Sequence, residues 1–226
     1  MSTARFVRLA GALMLVAGAV ILMGIITAEA VYPAGYSTGG NEISDLGGTE
    51  PPEGLVLQPS ATIFDVTMIV SGGLVLGAAA GLQAGLGRMS VTLAVAAVGV
   101  GALGVDIFPG NTGGIHALFA MLTFIGGGIA AIVTARVTQP PFRLLSALLG
   151  IIALATLGSY VLLGDGSPLA GLGIGGIERW LAYPIVIWVI AFGGYLSAWQ
   201  GRSNASTSAP PPPSDLDSGH VVSKAR

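Results

Sequence analysis

Six ionisable residues sit within, or just at the edge of, long apolar stretches: Glu29, Asp65, Asp106, His116, Glu178 and Arg179. A charge inside a membrane span is costly and usually faces a bundle interior or a water-filled cavity. Arg179 is flanked by carboxylates, and the pattern pairs it with Glu29, Asp65 or Asp106. His116 follows Asp106 across the short turn Pro109-Gly110-Asn111, within reach of a hydrogen bond. A His–carboxylate pair can act as a general base or hold a metal. The candidate catalytic residues are therefore His116, Asp106 and Asp45, with none of them assigned a step. The candidate binding layer is Glu29, Ser44, Asp45, Asp65, Asp106, His116, Glu178 and Arg179. The simpler reading has these groups capping helix ends and tying loops to a bundle.

Other chemistries fail on counting. The chain has two histidines, and His220 lies in a polar tail, so paired haem ligands and a three-histidine zinc site are both missing. No metal and no cofactor is expected. Ser44, His116 and Asp45 or Asp106 could be written as a nucleophilic set, but no nucleophile elbow surrounds Ser44. Gly171-Leu172-Gly173-Ile174-Gly175-Gly176 matches GxGxxG without a preceding strand and reads as a flexible loop.

The elements that must hold these residues follow from composition. Of 226 residues, 53% are hydrophobic and 9% charged, with 36 glycines, and the mean hydropathy is +0.82. Soluble domains carry roughly 25% charged residues, so a soluble enzyme is excluded. The absence of cysteine excludes disulfides and thiol catalysis, and a net charge of −2 gives no footprint for nucleic acid. Six stretches approach the roughly 20 apolar residues that cross a bilayer: 9–27, 61–82, 89–108, 115–133, 144–163 and 180–199. The fold class is all-α, a polytopic integral membrane six-helix bundle. Glycines within the spans allow close helix approach in lipid.

Arg5, Arg8, Arg88, Arg136, Arg143, Arg202, Lys224 and Arg226 share one side of this topology, and only Arg179 falls on the other. The positive-inside rule then puts both termini in the cytoplasm. The binding layer and the loop of about thirty residues between the first two spans become extracytoplasmic, the loop forming a cap. The expected location is the plasma membrane of a prokaryote. A rival reading takes Ala28-Glu29-Ala30 as a signal-peptide cleavage site leaving five spans, but the apolar run exceeds the usual h-region of about 7–15 residues. Residues 1–200 form the membrane domain. Residues 201–226, with the run Pro210–Pro213, form a disordered cytoplasmic tail, read as solvated rather than as a proline-rich ligand.

Several motifs occur in order: Ala28-Glu29-Ala30, Tyr32-Pro33, Gly35-Tyr36-Ser37, Asn41-Glu42-Ile43-Ser44-Asp45-Leu46-Gly47, Pro59-Ser60-Ala61-Thr62-Ile63-Phe64-Asp65, Phe108-Pro109, His116, Gly173-Ile174-Gly175-Gly176-Ile177-Glu178-Arg179 and Tyr183-Pro184. Over residues 6–200 the chain resembles the bacterial and archaeal membrane family called domain of unknown function 998. Asp65 departs from that family's pattern, which carries Asn after Ile-Phe. Locally, Ile43–Gly47 with Thr49 and Pro51-Pro52-Glu53 is similar to the outer loop of the DRAM, FRAG and SFK group of six-span proteins linked to lipid biology. The first resemblance implies a six-helix membrane protein and supplies no activity. The expected partner is membrane lipid, bound or organised at the outer leaflet. A lipid-modifying enzyme using His116 with a carboxylate and a small transporter are the alternatives, the latter weakened by the lack of any midplane charge.

Overall fold

A computed structural model of the chain describes residues 2–33 and 35–199, so the expected tail lies outside the described residues. Lipid offers no hydrogen bonds to a backbone, and runs of Ala, Leu, Val, Ile and Gly satisfy their own amides as helices. Six long helices result: α1 Thr3–Ala30, α2 Ser60–Leu86, α3 Met89–Ile107, α4 Gly114–Thr134, α5 Phe142–Leu163 and α6 Gly173–Ser197. Each is long and apolar enough to cross a membrane. Among the described residues there is no strand.

Two expected boundaries need correction. The first helix runs on to Ala30, which places Glu29 on its last turn. The last helix begins at Gly173 rather than 180, so Glu178 and Arg179 lie inside it and do not precede it. The glycine-rich stretch is consequently not a flexible loop. Its first part, Ala170–Leu172, is a single 3-10 turn, and Gly173–Gly176 open α6.

Consecutive helices pack side by side, and α1 also packs along α6, which closes the ring. That closure depends on two glycines. A Cβ on Gly193 would lie 2.4 Å from the Leu15 amide nitrogen, and one on Gly11 would lie 2.5 Å from that of Ser197. The helix backbones touch where a side chain would stand, gaining the dispersion contacts that replace a hydrophobic driving force in lipid.

The core has two parts. Trp188, Phe192, Met14, Leu82 and Leu196 are fully buried in one. The Trp188 indole Nε1 donates to Thr134 Oγ1 at 3.1 Å, and Ser146 Oγ donates to the Ala131 carbonyl at 2.6 Å, so these buried polar groups are paired. The second part lies under the cap, where Ile43 and Leu46 of the loop bury against Ile25, Phe64 and Val186. Large apolar side chains such as Leu162, Leu144 and Val161 face outward, as expected of a surface solvated by lipid.

Gly193→Val should lower stability in detergent by about 1–3 kcal/mol, the usual cost of overpacking. Gly73→Ala, whose Cβ would meet no atom within 4 Å, should be silent. Thermal unfolding followed by tryptophan fluorescence compares the two, and equal midpoints would contradict the α1–α6 contact.

Candidate functional site

Arg179 is 9% exposed and lies on the second turn of α6. One terminal nitrogen, Nη1, donates to the carbonyls of Thr38 at 2.9 Å, Asn41 at 3.0 Å and Gly175 at 2.9 Å. The other, Nη2, donates to Glu29 Oε1 at 2.5 Å and to the Tyr36 hydroxyl at 2.7 Å. Of the three expected carboxylate partners, the structure selects Glu29. A planar fork of fixed donors suits such a site, whereas a lysine would present a single point charge. The guanidinium carbon also lies 5.7 Å from the centre of the Tyr36 ring. Burial pushes the Tyr36 hydroxyl above its ordinary range, which keeps its hydrogen in place. It donates that hydrogen to the Glu42 carbonyl at 2.9 Å while accepting from Arg179. One side chain thus fastens the end of α1, the cap loop and α6 together.

The glycines ahead of Arg179 allow the cap to come that close. The Gly175 amide donates to the Gly39 carbonyl at 3.0 Å, and a Cβ on Gly175 would fall 1.9 Å from the Asn41 carbonyl oxygen. Successive helix residues point about 100° apart, so Glu178 faces a different way from Arg179. Its carboxylate accepts the Ile43 amide on the other side of the cap.

Asp65 on α2 and Asp106 on α3 lie within hydrogen-bonding reach of each other. One oxygen of each is buried with no partner. When ionised both groups are acceptors only, so a hydrogen bond between them takes one proton. His116 is not in this pair, contrary to the expected His116–Asp106 bond. Its Nδ1 meets the Phe108 carbonyl at 2.8 Å. A carbonyl only accepts, so Nδ1 carries the hydrogen and Nε2 of the neutral ring is an acceptor. The turn after α3 presents its carbonyl to His116 before the Asp106 side chain can reach it.

Although only 5% exposed, His116 lines two adjoining cavities. The larger, about 690 Å³, lies where the cap meets α4, α5 and α6. Asn41, Glu42, Ser44, Asp45, Glu50, Glu53 and Glu178 form its polar wall, and Met121, Phe124, Leu157 and Leu181 its apolar one. The smaller, about 80 Å³, runs into the bundle between Ile21, Phe64, Met68, Val98 and Val189. Ser44, His116, Ala120, Phe124 and Glu178 line both and form the partition.

The eight expected binding residues therefore divide into three places. Glu29 and Arg179 form the clasp, Asp65 and Asp106 form a pair under the cap, and Ser44, Asp45, His116 and Glu178 surround the large cavity. The Asp45 carboxylate accepts from the Asn41 side chain and the Glu42 amide, both at 3.1 Å. It orients its own loop, and the His116 Nδ1 that a triad would need is already taken by Phe108. Among the described residues no group of three or more His, Asp or Glu is arranged to hold a metal. Sequence reasoning missed Tyr36, Glu42 and the carbonyls of Thr38 and Asn41. A backbone carbonyl leaves no trace in residue type, but Tyr36 and Glu42 stand within the motifs of the loop and were readable as its polar groups.

Burial, reinforced by the nearby charges of Glu50 and Asp45, raises the Glu42 carboxyl to about 7. The folded chain holds this proton over a range where the unfolded carboxyl, near 4.5, has lost it. The stability it contributes is fully present below the unfolded value and disappears as pH rises through about 7. Glu42→Gln removes this titration. Between about pH 5 and pH 8 its unfolding midpoint should fall less than that of the unmodified chain, and parallel curves would contradict the burial of Glu42. Glu29→Ala leaves a buried guanidinium without its counter-charge and should cost about 3 kcal/mol. Combined with Arg179→Ala it should cost less than the sum of the two, and an additive double-mutant cycle would contradict the clasp.

No curated protein and no solved structure matches the chain. The family described as protein of unknown function (DUF998) matches residues 15–195, a stretch that takes in Glu29, the cap, both aspartates, His116, Glu178 and Arg179. The chain is a multi-pass membrane protein that belongs to this family.

Proposed function

We propose that the chain binds a membrane lipid in the large cavity, with the head group under the cap and the hydrocarbon along α4 and α5. The observation that carries this reading is the two-sided wall. Polar side chains from the cap stand opposite Met121, Phe124, Leu157 and Leu181 within one space of about 690 Å³. Ligand sites usually combine such an apolar surface with a few placed polar groups. The rim residues Ala117, Tyr160 and Leu55 are exposed, so the space is reached from outside the bundle.

The cap end is extracytoplasmic in this reading, and the membrane is the cell membrane of a prokaryote. Arg5, Arg8, Arg88, Arg136 and Arg143 support it, since all lie at or beyond the helix ends opposite the cap. A second reading makes the protein a lipid-modifying enzyme. It is favoured by one feature, that His116, with Nδ1 held by the Phe108 carbonyl, lines the cavity together with Ser44 and Glu178 and could serve as a general base.

Native mass spectrometry of the purified protein should find one retained lipid class. Ala117→Trp fills the rim from an exposed position, and it should remove that lipid while leaving the helix content by circular dichroism unchanged. Equal retention by both proteins would overturn the binding reading.

A further inference from the structure

The large cavity is unusual in what its wall lacks. Among the described residues no lysine and no arginine line it. Among the described residues the one lysine or arginine at this end, Arg179, has both terminal nitrogens committed to the clasp and faces another side of α6. Five carboxyl groups do line the cavity: Glu42, Asp45, Glu50, Glu53 and Glu178. The Asn41 side-chain amide gives one of its two hydrogens to Asp45, and its oxygen accepts from the Ser37 amide.

His116 adds an independent observation. It is more than nine-tenths buried and its ring borders the cavity. Its Nδ1 is bound to Phe108, while Nε2 has no partner among the described residues. With the hydrogen on Nδ1, that nitrogen presents a lone pair and calls for a hydrogen-bond donor. The wall therefore carries carboxyl groups and His116 with no lysine or arginine among the described residues beside them, so an anionic phosphate or sulfate would find no counter-charge there, although the Ser44, Thr49 and Tyr160 hydroxyls can donate.

We propose that the head group held in this cavity is a cationic amine carrying N–H donors, on an amphiphile whose chain lies along the apolar wall. This inference rests on the binding reading above and names the chemical class of the ligand. An ammonium matches both properties of the wall, because it brings positive charge for the carboxylates and hydrogens for His116 Nε2.

The test uses the full chain in nanodiscs of dimyristoyl phosphatidylcholine, titrated with dodecylamine, dodecyl phosphate and dodecyl maltoside and read by native mass spectrometry. The three probes share a chain and differ in the head. Dodecylamine should bind about tenfold more tightly than the phosphate, with the neutral maltoside also weaker than the amine. The double variant Glu50→Gln, Glu53→Gln changes only rim carboxylates and should narrow the amine's advantage several-fold. Ala117→Trp should abolish binding of the amine. If all three probes bind the unmodified chain alike, or the phosphate or maltoside binds best, the amine assignment is overturned and the lipid site survives. If none binds, and Ala117→Trp changes nothing, both readings fall.

Discussion

A guanidinium buried at the end of a membrane bundle needs acceptors from the protein itself, because neither lipid nor an apolar interior will solvate it. Arg179 places both terminal nitrogens on acceptors drawn from three separate parts of the chain, while its Nε is buried without a partner. Glu29 ends the first helix, Tyr36, Thr38 and Asn41 belong to the loop, and Gly175 lies one turn before Arg179 itself. The loop between α1 and α2 has little regular structure of its own beyond the single turn Ser44–Leu46. Its conformation is set from outside, by this fork on one flank, by the Glu178–Ile43 contact on the other and by Ile43 and Leu46 buried beneath.

The cavity is a by-product of that arrangement. Glu178 and Arg179 are neighbours in sequence, yet the helix turns them to different sides, so the cap is pinned at two places with open space beside it. The pinning uses up the local positive charge. What remains along the cavity is a row of carboxyl groups and a histidine whose Nδ1 is held by the Phe108 carbonyl. Fastening and the lining of the cavity thus use different residues on adjacent positions. A loss of Arg179 acts on folding, whereas changes at Glu50 or Glu53 act on the cavity's potential alone.

Most of the architecture was legible in the sequence, since six long apolar runs with basic residues segregated between them leave little choice of topology. The boundary of the last helix was not. Gly173, Gly175 and Gly176 carry poor helix propensity, and only the docking of the Asn41 and Gly39 carbonyls against them explains their place in a helix. The layer of ionisable groups at one end was also legible, but its internal pairing was not. His116 stands ten residues after Asp106, and nothing in residue type reveals that the Phe108 carbonyl is nearer. Likewise, a carboxylate partner for Arg179 was foreseeable, whereas the carbonyls that complete its shell depend on how the loop closes.

The most direct measurement is an electron cryomicroscopy map of the protein in nanodiscs prepared from its own membrane. The account predicts the cap seated on Arg179 and Glu29, with elongated density in the large cavity whose polar end lies against His116 Nε2. A map with the cap detached from Arg179, or with His116 bonded to Asp106 and the cavity closed by its own side chains, would contradict it.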